Sequence, residues 1–583
     1  APVMEGINLI GAAMKERFAR ENKPGILSYW GFDAWWNGGL RSVPAFHNMH
    51  GILTETAGTG PAPRTYNMRD LPERFGNGMP AREPSVFYQR PWMGGRWGMR
   101  EAIDYMLTAD FAILDLAASR PNHFLFKAWE LAQANIELGR KGKPFAYAVP
   151  MDQGDKHSAM EMVRRLNMSG IVVQRAKAPF QASGKTYPAG TLVMPAGQPF
   201  RPYLVDLMEP QKYPELKTGQ SGPTKRPYDV AGWTMPMMMG VQVERIDDRF
   251  DASLDNDPDL RLPPPSLDRR DNSSFLATID LLKQGVKVRW GADGSILADG
   301  KSPAAEFQKG LYELQTPRVA LYEPYAANMD TGWTQWLLDY FRVPYTVVHN
   351  ADFRNGALRS KFDTIILASQ NSQSILHGTR DGESSSSRSG SRPSSRQRPE
   401  YTGGITLAGL AAIDEFVKAG GTLIAFDTAS ELPVQFFPLP VTARIRSSSS
   451  SESGAESNNN GFYSPGSLLR MTVEGNSPLT AGMPKEAYLF TTGGQAWDVN
   501  LMSEFNKGDR ETRALVRYAS SNLLASGWLS GERTITGKAA MIHARHGQGQ
   551  VVMFGFRPQF RGQTFGTFKL LLNAIYLGSA KKL

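Results

Sequence analysis

The stretch Gly420-Gly421-Thr422-Leu423-Ile424-Ala425-Phe426-Asp427-Thr428-Ala429-Ser430-Glu431-Leu432 decides the fold of the C-terminal part of this chain. Its uninterrupted run from Thr422 to Phe426, opened by a glycine pair, reads as a strand buried on both faces, because a strand with one wet face would alternate apolar and polar positions. Similar runs recur at 318–322, 345–349, 364–368 and 550–556, and between and after them helical spacing marks 331–341, 407–418 and 567–577. Strands of this kind alternating with helices predict an α/β domain over 317–583 with a doubly wound, flavodoxin-like parallel sheet. Two Ser-dominated stretches, near 380–400 and 446–460, interrupt the pattern. They hold too little apolar surface to order themselves and are expected as disordered surface insertions.

Working back toward the N-terminus, 241–316 reads as a β-rich linker. It contains Pro263-Pro264-Pro265 and the alternating strand Val286-Lys287-Val288-Arg289-Trp290 before the turn Gly291-Ala292-Asp293-Gly294. Residues 144–240 read as a small α/β domain, with a strand at 145–149, a helix at 157–167, and further strands at 171–174 and 191–194. Trp233 and the methionines of 235–239 close it as core filling. Gly139-Arg140-Lys141-Gly142-Lys143-Pro144 marks the boundary before it.

The remaining unit, 1–143, opens on Val3, Ile7, Ile10, Met14 and Phe18, which share one helical face and stop at Lys23-Pro24-Gly25. A short buried strand is expected at 26–30, then an aromatic, glycine-rich loop to Gly39, then a strand at 50–55 delivering Glu55 at its end. A long loop, 58–98, is tethered by Trp92 and Trp97. Two helices over 99–118 and 123–138 carry apolar positions such as Phe124, Ala128 and Leu131, suited to packing on a sheet. An amphipathic helix running straight into a core strand reads as a domain already under way, the larger remainder of a longer protein.

Composition bounds the function classes. The 583 residues carry 65 Lys+Arg against 56 Asp+Glu, a net charge of +9, with 41% hydrophobic positions and no Cys. That is globular, with three or four domains at roughly 150 residues each. The absence of Cys excludes disulfides, Cys-ligated metals and thiol nucleophiles. Arg388, Arg392, Arg396 and Arg398 lie in the Ser-rich stretch without interleaved aromatics, and no helix carries a continuous basic face, so no nucleic-acid partner is expected. No apolar run reaches the roughly 18 residues of a membrane span.

The candidate chemistry is sparse. His47 and His50 form one H-x-x-H pair, and His543 and His546 form another. Neither has a third ligand nearby in sequence, and no zinc motif occurs. The 420–432 stretch resembles the strand-to-helix elbow of class I glutamine amidotransferase domains, where a Cys would be the nucleophile. Asp427 and Thr428 occupy the elbow here, so the resemblance implies a retained fold without the chemistry. A Ser or Thr substitute would need a positioned His, for which the 543–546 region is the only suggestion.

The run Ser28-Tyr29-Trp30-Gly31-Phe32-Asp33-Ala34-Trp35-Trp36-Asn37-Gly38-Gly39, followed by Phe46-His47-Asn48-Met49-His50-Gly51-Ile52-Leu53-Thr54-Glu55-Thr56-Ala57, resembles the end of the catalytic domain of M14 zinc carboxypeptidases, especially large multidomain bacterial members. Trp92 to Trp97 with Ile103-Asp104-Tyr105, Tyr187 to Gly190, Gln198 to Arg201 and Asn328 to Thr334 resemble their later segments in the same order. The resemblance implies that Glu55 is the general base and acid of peptide hydrolysis, that Tyr29 (with Trp35 or Trp36 as alternatives) assists substrate binding, and that the complete enzyme uses zinc. The zinc ligands should precede Glu55, and the 54 residues before it do not supply them. The expectation is therefore the C-terminal portion of a secreted or periplasmic metallocarboxypeptidase working with a separately cleaved N-terminal fragment. The alternative is a non-catalytic binding or structural protein, with Glu55 capping the loop 56–60. An active amidotransferase-like hydrolase depending on Thr428 is the third reading.

Overall fold

The computed structural model describes residues 2–28, 33–60, 62–217, 222, 224–291, 294–301, 310–378, 402–445, 461–475, 477–500 and 506–583. The two Ser-rich stretches lie outside these. The chain is a mixed α/β, multidomain protein with several separate sheets.

The largest sheet has twelve strands. Its parallel part runs Tyr345–Val348, Val319–Tyr322, Thr364–Leu367, Thr422–Phe426, Gly549–Phe554 in spatial order. Numbered along the chain this is the order 2-1-3-4-5, the flavodoxin-like winding, with a switch point between the first and third strands. The expected strands fall within a residue or two of these positions. The core strands are wholly buried because helices cover both faces, which is what their unbroken apolar runs require. The sheet continues as an antiparallel extension, Ala539–His546, Thr512–Tyr518, Ser467–Val473 and Glu486–Thr491.

The middle unit is a five-stranded sheet in the order Glu244–Ile246, Ala146–Val149, Leu192–Pro195, Gln174–Ala176, Leu254–Asp255, with every neighbouring pair antiparallel. The helix Lys156–Met168 lies against it through Met162, Val163 and Leu166, and Asp155 caps it by accepting the Ser158 amide at 2.9 Å. The expected strand at 171–174 begins only at Gln174. A four-stranded sheet of Ile296–Ala298, Val288–Gly291, Gly310–Glu313 and Lys581–Lys582 brings the chain's last residues beside the linker.

The helix Phe565–Ser579 holds these parts together and is buried along nearly its whole length. Lys569 Nζ lies 2.5 Å from Asp155 Oδ2, reaching the middle unit. Asn573 Nδ2 donates to the Leu479 and Ala481 carbonyls, both at 3.0 Å, and the Tyr576 hydroxyl donates to Phe275 O at 3.3 Å.

The N-terminal unit departs from expectation. Its first helix, Pro2–Arg20, forms as read, with Ile10 and Phe18 buried. The helices Met99–Ser119 and Pro121–Lys141 form too, but they do not pack on a sheet. Met99–Ser119 lies along the first helix through Ala102, Ala109 and Ala112, fastened by the Phe18–Tyr105 rings at 5.6 Å and by Lys23 Nζ to Asp104 Oδ2 at 2.9 Å. Residues 26–28 are not a strand, and neither is 50–55. A strand needs a ladder of backbone bonds: 25–28 makes the bonds Gly25 N to Arg90 O at 2.8 Å and Ser28 N to Phe87 O at 3.0 Å without forming one, and among the described residues of this unit the paired strands are Arg64–Tyr66 and Gly95–Trp97. That pairing closes the long loop as expected, with Trp92 and Trp97 rings 6.1 Å apart.

Candidate functional site

Glu55 is exposed on the extended 51–60 segment, which pairs with no strand of the described residues. Trp97 Nε1 donates to Ala57 O at 3.1 Å, holding the segment beside the start of the Met99–Ser119 helix. Among the described residues no hydrogen bond runs from the 56–60 backbone to Glu55, so the carboxylate is not spent as a loop cap. Tyr29 lies outside the described residues. Of its alternatives, Trp35 donates its indole N–H to Ala231 O at 2.9 Å and packs edge-on to Tyr213 and Trp233. That makes it a joint between the N-terminal and middle units.

The histidine pairs do not make metal sites. His47 has both ring nitrogens facing main-chain carbonyls, Val43 O and Ser169 O, each at 3.1 Å, and its ring packs on Phe200 and Tyr203. His50 is turned against Gly6 and stands edge-on to Phe124 at 5.7 Å. His543 Nε2 meets Gln550 Oε1 at 2.9 Å, and His546 Nε2 meets Asp414 Oδ1 at 2.5 Å. Among the described residues no group of three His, Cys, Asp or Glu could hold a metal ion, so this chain's residues do not fit a zinc site by themselves.

A second concentration of chemistry sits at the carboxyl ends of the parallel strands, where such sheets bind ligands. Asp427 follows the Thr422–Phe426 strand with φ +47°, a left-handed conformation rare for a non-glycine residue and a feature of sharp strand-to-helix elbows. Its side chain is buried. Oδ2 accepts from the Ser369 hydroxyl at 3.0 Å and from Arg557 Nε at 3.1 Å. Asp330, near the start of the helix Met329–Tyr340, places Oδ2 3.5 Å from the same Arg557 nitrogen. Thr428 Oγ1 lies 3.3 Å from Ser369 Oγ.

Burial pushes the carboxyls of Asp427 and Asp330 upward, against the pull of Arg557. Burial also disfavours the charged guanidinium, but Asp427 and Asp330 outweigh it and raise the Arg557 pKa. The elbow therefore carries a carboxylate–guanidinium pair where an amidotransferase would carry its nucleophile. The 543–546 histidines do not meet Thr428: His546 bonds Asp414, and His543 bonds Gln550, which bonds Thr422 Oγ1 at the opposite end of the strand. The strand from Thr422 to Phe426 spans about 13 Å at roughly 3.3 Å per residue, and Thr428 lies beyond its far end, so the suggestion that 543–546 serves Thr428 is corrected on that ground.

Asp330, Ser369 and Arg557 were not picked out from sequence as site residues. Ser369 and Arg557 follow the ends of parallel strands by two or three residues, and Asp330 opens the helix that follows another, and those positions are the signal that would have found them.

No family model matches the chain, and no curated protein matches it. Among solved structures it is similar over part of its length to a ThuA-like protein from Bacteroides uniformis, at 12% identity and a TM-score of 0.26, covering 46% of this chain and 93% of that one. PurLQS from Thermotoga maritima gives 12% identity and a TM-score of 0.26, covering 45% and 98%. A β-galactosidase from Bacillus circulans gives 8% identity and 0.24, covering 45% and 31%. Likenesses this faint say nothing of substrate.

Proposed function

We propose that this chain is the C-terminal portion of an exported, secreted or periplasmic zinc carboxypeptidase, acting on peptides and completed by a metal-bearing N-terminal fragment of the same precursor. The observation that carries the reading is the state of the N-terminal unit, a helical layer and an extended segment that both lack a partner. Along Met99–Ser119 the residues Met99, Ile103, Met106, Leu107, Phe111 and Leu114 form a second apolar stripe, with Met99 65% and Leu114 61% exposed. Leu125 and Trp129 continue it on the next helix, 71% and 56% exposed. Large contiguous apolar surfaces of this kind on a folded unit mark an interaction face. Beside it the 51–60 segment offers an unpaired backbone edge to an incoming sheet.

In this reading Glu55 takes a proton from the attacking water as its oxygen adds to the scissile carbonyl carbon. It returns that proton to the amine nitrogen as the C–N bond breaks. Its exposure on the uncovered side leaves it available to a cleft that forms on docking. The zinc ligands belong to the docked fragment.

The alternative, a non-catalytic binding protein, is favoured by the Asp427–Arg557 pair at the elbow and predicts that Glu55 can be neutralised without consequence. Zinc content and carboxypeptidase activity of material isolated from the native source test the proposal. Pure, intact native material that contains only this chain, with neither zinc nor activity, would refute it. No helix of the described residues is long and apolar enough to cross a membrane.

A further inference from the structure

The elbow cluster contains a feature that an internal ion pair does not need. Arg557 spends only its Nε on protein partners, Asp427 Oδ2 at 3.1 Å and Asp330 Oδ2 at 3.5 Å. Neither Nη atom hydrogen-bonds to the described residues, and the side chain is 27% exposed. The guanidinium is thus held from behind by two carboxylates, with its terminal N–H groups left toward solvent. A pair that served stability alone would use the bidentate geometry through which arginine and carboxylate bind most strongly, as Arg318 does with Asp363, at 2.9 and 2.7 Å.

Four residues on, Arg561 adopts a left-handed backbone with φ +45°. It acts electrostatically on the same Asp330, and among the described residues it makes no ion pair; its Nε is buried without a hydrogen-bond partner. Trp336 blocks the backbone behind it by lying over Gly562. Two strained non-glycine residues, Asp427 and Arg561, therefore flank the same arginine, and strain of this kind concentrates where a ligand is clamped.

The site's position and polarity agree. Strand ends Leu367, Phe426 and Phe554 and the 12-residue helix Met329–Tyr340 converge here at the carboxyl edge of the sheet. The helix turns its amino end toward the cluster, where the backbone dipole favours negative charge. The Thr428 hydroxyl adds a neutral donor; the Ser369 proton is already given to Asp427 Oδ2.

We propose that Arg557 and Arg561, at the carboxyl edge of the parallel sheet, bind a small oxyanion, a carboxylate or a phosphate, between the guanidinium groups and the Thr428 hydroxyl. Asp427 and Asp330 act as positioning residues that orient Arg557 through Nε. The site is independent of Glu55 and of peptide hydrolysis, so it stands or falls separately from the peptidase reading.

The test is calorimetric titration of the full chain with sodium acetate and, in a separate arm, sodium phosphate, against sodium chloride at constant ionic strength. Saturable binding of one probe is expected, and which one binds distinguishes the two sources of the oxyanion. Arg557→Lys should weaken it at least about tenfold, because lysine keeps the charge but not the planar fork. Arg561→Gln, which breaks no hydrogen bond or ion pair among the described residues, should weaken it comparably with the chain still folded by circular dichroism, and it decides the matter if Arg557→Lys fails to fold. Absence of saturable binding in both arms, or binding that Arg561→Gln leaves unaltered, overturns the proposal.

Discussion

Trp97 donates its indole N–H to the Ala57 carbonyl at 3.1 Å, fixing the segment that carries Glu55 against the first turn of the Met99–Ser119 helix. Two unpartnered surfaces thereby become one. The apolar stripe of the helix and the unpaired backbone of 51–60 are presented together, and whatever covers one meets the other. The peptidase proposal rests on that continuity.

The stripe can be tested without touching Glu55. Ile103→Glu with Leu114→Glu places charges on a face that is already wet, so the isolated chain should keep its stability within about 0.5 kcal/mol. Urea denaturation checks this. The same double variant should bind the N-terminal fragment at least tenfold more weakly in sedimentation experiments, since each charge must be desolvated on docking.

The contact between the closing helix and the middle unit is a buried ion pair. Lys569→Met leaves Asp155 buried without its cation, and Asp155 also caps the Lys156–Met168 helix. Breaking such a pair from one side costs about 3–5 kcal/mol, to be read as a lower urea midpoint. Asp155→Asn with Lys569→Met should recover part of the loss.

Asp206 gives a pH signature. Burial pushes its carboxyl up to about 6, while hydrogen bonds from Trp233 and Asn37 pull it down. The folded protein therefore holds this proton where the unfolded chain, with an ordinary value near 3.8, has released it. Its contribution to stability is complete below about pH 4 and is lost as pH rises through about 6. Thermal melts from pH 4 to 7 should show that component in the wild-type chain and not in Asp206→Asn.

The C-terminal sheet was legible because strands such as Thr422–Phe426 are buried on both faces, and a strand with one wet face would not sustain so unbroken an apolar run. The antiparallel extension was harder to read. Strands such as Thr512–Tyr518 mix Arg513 and Arg517 among apolar positions, and their pairing depends on bulges that spacing does not announce. Residues 26–28 and 50–55, expected as strand, are not strand for a different reason. They have strand character, but a strand needs a continuous ladder, and the bonds of Gly25 and Ser28 to Arg90 and Phe87 do not extend into one. Asp427 was noticed as the elbow occupant, whereas Arg557 lies 130 positions away and only the fold brings it to 3.1 Å. The remoteness of His543 from Thr428 likewise needed the strand direction, because both belong to neighbouring parts of one sheet.

The most direct measurement is the rate of C-terminal amino-acid release from peptides, with zinc content, for material isolated from the native source in wild-type and Glu55→Gln forms. Glu55 is exposed, so the substitution should leave folding and zinc content unchanged. The rate should fall by at least about a hundredfold, as expected when a general base and acid is removed. Equal rates in the two forms, or wild-type material without zinc or hydrolysis, would contradict the account.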